Sequence, residues 1–236
     1  YRQVYTGAEN ENVFTNDWLG PFWGFRKVIQ TFELTEHPRR LKPIDIYYHF
    51  YAASKTASLT ALDDVYKWAM GQKTRPIYTS EYIPKVLEFY DLSMYKDETG
   101  WYCEGMRELK TLRLSKAMPD VYHKGSQAVL GEKREGDNRY IHLNTEAKTI
   151  AVHLKESVNT DENYLIDTNA EVLGYEKSDE QTVFKLRSYV DIVLNYYLKK
   201  GCTLEVNPQP LKKSQRGDTV SVELRGKEAD VIIQCR

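Results

Sequence analysis

Near residue 95 the hydrophobic period of this chain changes from the spacing of helices to the alternation of strands, which limits the folds open to it. Upstream, Phe22, Phe25, Val28, Ile29 and Phe32 recur at helical spacing behind Pro21, a residue suited to a first helical turn. Residues 54–70 repeat the pattern, with Leu59, Leu62, Val65, Tyr66 and Ala69 on one stripe, Thr56 or Ser58 as cap and Gly71 as stop. A third helix follows Ser80 and carries Tyr82, Ile83, Val86, Leu87 and Tyr90. Two short β-branched or aromatic runs, 44–49 and 75–79, alternate with these helices, and strand–helix–strand–helix predicts a βαβ unit with parallel strands. Two parallel strands do not make a covered sheet alone, so either the remaining strands lie upstream of Tyr1 in a longer parent or this segment packs irregularly against the second domain.

From Trp101 onward, short alternating runs recur at 109–114, 139–143, 149–154, 170–175, 182–187, 191–197, 203–206, 219–224 and 229–235. Turn-forming clusters such as Gly136-Asp137-Asn138 and Arg216-Gly217-Asp218 separate them. Many short strands at this spacing predict a β-sandwich or jelly roll, although 191–200 also fits a helical period. The expected architecture is an α/β segment over residues 1–95 followed by an all-β sandwich or jelly-roll domain over 96–236.

Lys+Arg of 33 against Asp+Glu of 34 gives a formal charge of −1, which offers no global field for nucleic acid or anionic lipid. The small clusters His37-Pro38-Arg39-Arg40 and Lys212-Lys213 with Arg216 read as solvated loops. No apolar run reaches membrane-spanning length, so neither nucleic-acid binding nor membrane insertion is expected. The chain begins at Tyr1 rather than Met and carries no signal peptide, and it is read as a segment of a longer precursor. Its 18 Tyr supply flat apolar rings with a hydroxyl, which suits wet ligands such as sugars, but sheets favour Tyr in any case. Cys103, Cys202 and Cys235 lack metal-ligand spacing; Cys202 and Cys235 either bridge in an oxidising compartment or remain buried thiols.

In βα architectures reactive side chains gather where strands end, and His49 is the one histidine so placed. Asp45 shares its strand face but lies roughly 13 Å away, too far for a direct pair. His142 and His153 fall in strands of the β-region and read as sheet-surface residues, while His37 and His123 fall in loops. Asp63-Asp64 sits within a helix and reads as a solvated face. Histidine pairs and cysteine pairs at ligand spacing, phosphate loops and nucleophile elbows are all absent, so the chain contains no self-contained catalytic constellation.

The wording Val4-Tyr5-Thr6-Gly7, Asn10-Glu11-Asn12-Val13, Thr15-Asn16-Asp17-Trp18 and Gly20-Pro21-Phe22-Trp23-Gly24-Phe25-Arg26 continues in Thr31-Phe32-Glu33-Leu34-Thr35. With Pro38-Arg39-Arg40-Leu41-Lys42-Pro43-Ile44 and Ile46-Tyr47-Tyr48-His49, it resembles the Pel-type polysaccharide deacetylases, periplasmic multidomain enzymes of exopolysaccharide biosynthesis. The resemblance covers residues 1–95 closely and the β-region more loosely. It implies that 1–95 closes a (β/α) deacetylase barrel and that 96–236 is a β-sandwich accessory domain. The implied activity is N-deacetylation of an N-acetylhexosamine, GalNAc-rich exopolysaccharide. Such enzymes use a divalent metal, usually zinc, held by an Asp and two His, with a second Asp as base and a strand-end histidine that protonates the departing amine. The resemblance puts that acid at His49, with Tyr47 where the family has an aliphatic residue, and a pocket-wall role at Trp18, with Asn16 and Asp17 beside the substrate. The metal ligands and base would precede Tyr1. The metal is therefore expected in the full-length parent and not in this chain, which is expected to be inactive alone. The alternative is a non-catalytic β-sandwich that binds polysaccharide or an exopolysaccharide export protein.

Overall fold

The computed structural model describes residues 23–35, 43–48, 50, 54, 56–72, 74–155 and 162–235. The chain divides into two compact units, one up to Thr74 and the other Arg75–Arg236. The first holds helices α1 (Trp23–Thr35) and α2 (Thr56–Met70). Val28 and Phe32 of α1 meet Ala61, Leu62 and Val65 of α2, and Phe32 stacks on Trp68 at 5.7 Å between centroids. The buried stripe of α2 is rotated from the expected one: Ser58 lies inside it, while Leu59 and Tyr66 are exposed. Asp63 and Asp64 are on the exposed side, paired with Lys67 and Arg26.

The second unit opens with helix α3 (Thr79–Glu88) and continues through fifteen strands among the described residues. The strands are β1 (Ser93–Lys96), β2 (Gly100–Glu104), β3 (Thr111–Ser115), β4 (Asp120–Val121), β5 (Val129–Glu135), β6 (Asn138–Leu143), β7 (Ile150–Lys155) and β8 (Tyr164–Thr168). They continue as β9 (Glu171–Lys177), β10 (Gln181–Arg187), β11 (Ile192–Tyr197), β12 (Cys202–Asn207), β13 (Lys212–Arg216), β14 (Thr219–Leu224) and β15 (Glu228–Cys235). Four small antiparallel sheets result, ordered β1-β2-β7-β4, β3-β6-β5, β13-β14-β11-β8 and β12-β15-β10-β9. They stand as four small blades, an arrangement of the β-propeller kind. The chain passes back and forth between blades, so each core is shared. Cys103, Val121, Ile141, Leu143, Ile150 and Val152 fill the first core, and Phe184, Leu194, Tyr196, Val222, Val231 and Ile233 belong to the second.

The expected α/β barrel end followed by a single sandwich is therefore not the fold. Residues 75–78 form no strand, and in 43–48 only Ile46 makes a single bridge. Ile44 and Ile46 instead pack on the α1–α2 core. β-branched and aromatic composition marks a half-buried surface of any kind, and it specifies a strand only where a neighbour supplies the ladder. Residues 192–197 form strand β11, not a helix. The basic run at Lys212 is an edge strand with all five residues exposed, not a loop.

α3 is anchored within the β-rich unit, although the sequence reading groups it with the first piece. Its last residue, Glu88, is buried and accepts the backbone N–H groups of Arg107, Glu108 and Leu109 at 2.8, 2.6 and 3.2 Å. β5 meets β8 at Gly131, where a Cβ would fall 2.0 Å from the Leu165 carbonyl oxygen. This meeting joins the blades of the first core to those of the second. Among the described residues no helix is long and apolar enough to cross a membrane.

Candidate functional site

Strand pairing fixes which side of the β1-β2-β7-β4 sheet faces the core. Trp101, Cys103, Val152 and Leu154 point inward and belong to the first core. Side chains alternate along a strand, so Tyr95, Tyr102, Glu104 and His153 share the opposite face. Tyr95 and Tyr102 are direct cross-strand partners, and their rings stack at 5.2 Å with 8° between planes. His153 meets Tyr102 edge-on at 5.9 Å. Tyr95 is 51% exposed on an edge strand. Gly100 is required below this face: strands β2 and β7 approach so closely that a Cβ there would lie 2.3 Å from the Val152 carbonyl oxygen.

The polar atoms of this face form two ordered sets. The Tyr95 hydroxyl donates to Glu104 Oε1 at 3.2 Å. Desolvation, then the Glu104 bond and charge, raise the Tyr95 phenol above its ordinary value, so its proton stays in place. In the β1–β2 turn, Asp97 Oδ1 accepts the Thr99 hydroxyl and N–H, each at 2.7 Å, and the Gly100 N–H at 3.0 Å. The Thr99 hydroxyl and N–H bonds, helped by Gly100, hold the Asp97 carboxyl down at about 2, so it is ionised across the physiological range. Thr99 Oγ1 lies 3.1 Å from the Tyr102 hydroxyl, which lies 3.3 Å from His153 Nε2. An exposed ring backed by a second and flanked by two carboxylates and an imidazole can stack on a flat apolar ligand face and accept hydrogen bonds from its rim.

A second constellation lies where the blades meet. The His123 ring stacks on Tyr164 at 5.0 Å, and Tyr164 stacks on Tyr197 at 4.8 Å. Burial pushes the His123 imidazole below its ordinary value, opposed by the charge of Glu132. Glu132 is buried, with Oε1 held by Arg134 at 3.0 Å. Arg139 is fully buried and pairs with Asp120 at 3.0 Å. His142 is not on a sheet surface as expected: its Nε2–H donates to the Ile166 carbonyl at 2.8 Å across the β6–β8 junction, and burial lowers its pKa. These groups tie one strand to the next, with Glu132 and Arg139 buried and His123 partly so. On the sheet β12-β15-β10-β9, an open depression is lined by Glu176, Val183, Lys185, Glu205, Asp230 and Ile232, with no ring standing out from it.

Of the residues singled out from sequence, His49, Trp18, Asn16 and Asp17 lie outside the described residues, as does His37. His153 does reach the exposed sheet face. Among the described residues no three His, Cys, Asp or Glu side chains converge as metal ligands. Sequence reading passed over the hairpin Ser93–Glu104. Its signal was the turn Asp97-Glu98-Thr99-Gly100 between Tyr95 and Tyr102, hidden by strands too short and polar to alternate visibly. Cys202 and Cys235, cross-strand partners in β12 and β15, form a disulfide, and Asn163 Nδ2 lies 3.3 and 3.0 Å from the two sulfurs. No protein family, curated protein or solved structure matches the chain.

Proposed function

We propose that the β-rich unit binds polysaccharide without acting on it, as the accessory part of a periplasmic exopolysaccharide N-deacetylase. The observation that carries the binding reading is the exposed Tyr95 ring stacked on the half-buried Tyr102, with Asp97, Glu104 and His153 around them. A pyranose ring has an apolar C–H face and a rim of hydroxyls. An exposed aromatic ring covers the first, and ionised or hydrogen-bonding side chains take the second. The disulfide supports an oxidising compartment such as the periplasm. The deacetylase reading is supported by the wording of residues 1–49, where His49 would protonate the departing amine and Trp18, with Asn16 and Asp17, would line the pocket. The divalent metal and the activity belong, on this reading, to the longer parent.

Binding is tested with the whole chain and a soluble N-acetylhexosamine polymer in affinity electrophoresis and titration calorimetry. Loss of one stacking ring is worth about 1–1.5 kcal/mol. Tyr95→Ala is therefore expected to weaken binding roughly tenfold, with only a small fall in melting temperature from the lost cross-strand stack on Tyr102. Equal affinity of the variant and the parent chain would remove the face from the function.

A further inference from the structure

The donors on the Tyr102 face are turned toward acceptors within it. Thr99 Oγ1 spends its single proton on Asp97 Oδ1, at 2.7 Å, because a carboxylate only accepts. The Tyr102 hydroxyl, 3.1 Å from Thr99 Oγ1 and also bonded to the Asp97 carboxylate, then spends its own proton on one of these two acceptors. With its own proton committed, the Tyr102 oxygen accepts from His153 Nε2–H, at 3.3 Å. In the uncharged imidazole this tautomer leaves Nδ1 as an acceptor. The Tyr95 proton is likewise committed, to Glu104 Oε1.

Every proton on these side chains is thus used inside the face. What remains for a ligand is a set of acceptors: His153 Nδ1, the second carboxylate oxygens of Asp97 and Glu104, and the lone pairs of Tyr95. Lys155, on the same strand face, lies over the Tyr122 ring at 5.3 Å, and Lys96, between Tyr95 and Asp97, lies over the Trp101 ring at 5.7 Å. We propose that this face selects a non-acidic glycan, one that offers hydroxyl or amide N–H donors, and rejects polymers that carry carboxylate, sulfate or phosphate groups. This rests on the glycan-binding reading above. An acidic sugar would bring acceptors against acceptors and a negative charge against Asp97 and Glu104.

The test compares two oligosaccharides of equal length on the whole chain, a neutral N-acetylhexosamine oligomer and a uronic-acid oligomer, with Tyr95→Ala to locate binding. The neutral oligomer is expected to bind at least about tenfold more tightly, from the loss of hydrogen bonds to charged groups. Glu104→Gln, which turns an acceptor and a charge into a donor on an exposed residue, is expected to narrow that ratio with no change in melting temperature. Equal or tighter binding of the uronic-acid oligomer, lost in Tyr95→Ala, overturns the selectivity and leaves glycan binding standing. Binding of neither oligomer overturns the glycan-binding reading and the selectivity with it.

Discussion

Glu171 lies buried between three cations, Lys110 at 2.8 Å, Arg187 at 2.8 Å and Arg75 at 3.3 Å. Burial alone would raise its carboxyl, but bonds to Lys110 and Arg187 and the charge of Arg75 outweigh it and hold the group at about 2. An unfolded glutamate titrates near 4.3, so the folded state is favoured by the ionised form. That contribution is fully present above about pH 4.3 and is lost as pH falls toward 2. Glu171→Gln is expected to cost about 2–3 kcal/mol in urea unfolding at neutral pH, because it leaves the cations without their shared partner. The gap between parent and variant should shrink at pH 3, and a gap of the same size at both pH values would refute the assignment. Neither this hub nor the aromatic face was legible as such in the sequence. Tyr196, in the alternating run 191–197, is wholly buried, and Tyr95, outside any such run, is half-exposed. Alternation shows that two faces exist and leaves open which one meets water.

At the scale of elements, the strands read from sequence are those with one buried face. β10 and β15 show strict alternation of buried and exposed residues, and their hydrophobic pattern alone placed them. Three of the strands missed lack that contrast. β1 and β13 are exposed at every position, and β4 has two residues. Edge strands carry polar side chains on both sides, so composition cannot separate them from loops. β5 was missed for a further reason: its central Gly131 and its charged end Glu132–Glu135 suit contact with other strands rather than a simple core face. Gly131→Ala would press a methyl group onto the Leu165 backbone, where the nitrogen lies 2.6 Å from the ideal Cβ position. Overpacking of this kind costs about 1–3 kcal/mol. The variant is expected to lose that much in denaturant unfolding and to lose amide protection at β8 before the distant β12. An alanine tolerated within about 0.5 kcal/mol would mean that the two strands do not meet as described.

At the scale of the molecule, strands from distant parts of the chain must meet to complete each core. β15, the last strand among the described residues, lies between β12 and β10 in its sheet. The edge strand β12 therefore depends on the C-terminal segment, and the disulfide links Cys202 of β12 to Cys235 of β15 across a sequence separation of 33. Closing a loop of that length restricts the unfolded chain and stabilises the fold by about 3–4 kcal/mol. The aromatic hairpin Ser93–Glu104 belongs to the other core, built on Cys103, Ile141 and Val152. Reduction, or the paired change Cys202→Ser with Cys235→Ser, should lower stability against urea by roughly that 3 kcal/mol. Hydrogen exchange should quicken first in β12 and around Asn163, whose amide contacts both sulfurs. Glycan affinity measured well below the unfolding transition should stay the same, because Tyr95 and Tyr102 keep their register on β1 and β2. A variant that keeps its fold but loses glycan binding would show that the two cores are coupled and that the binding face depends on the blades that carry the disulfide.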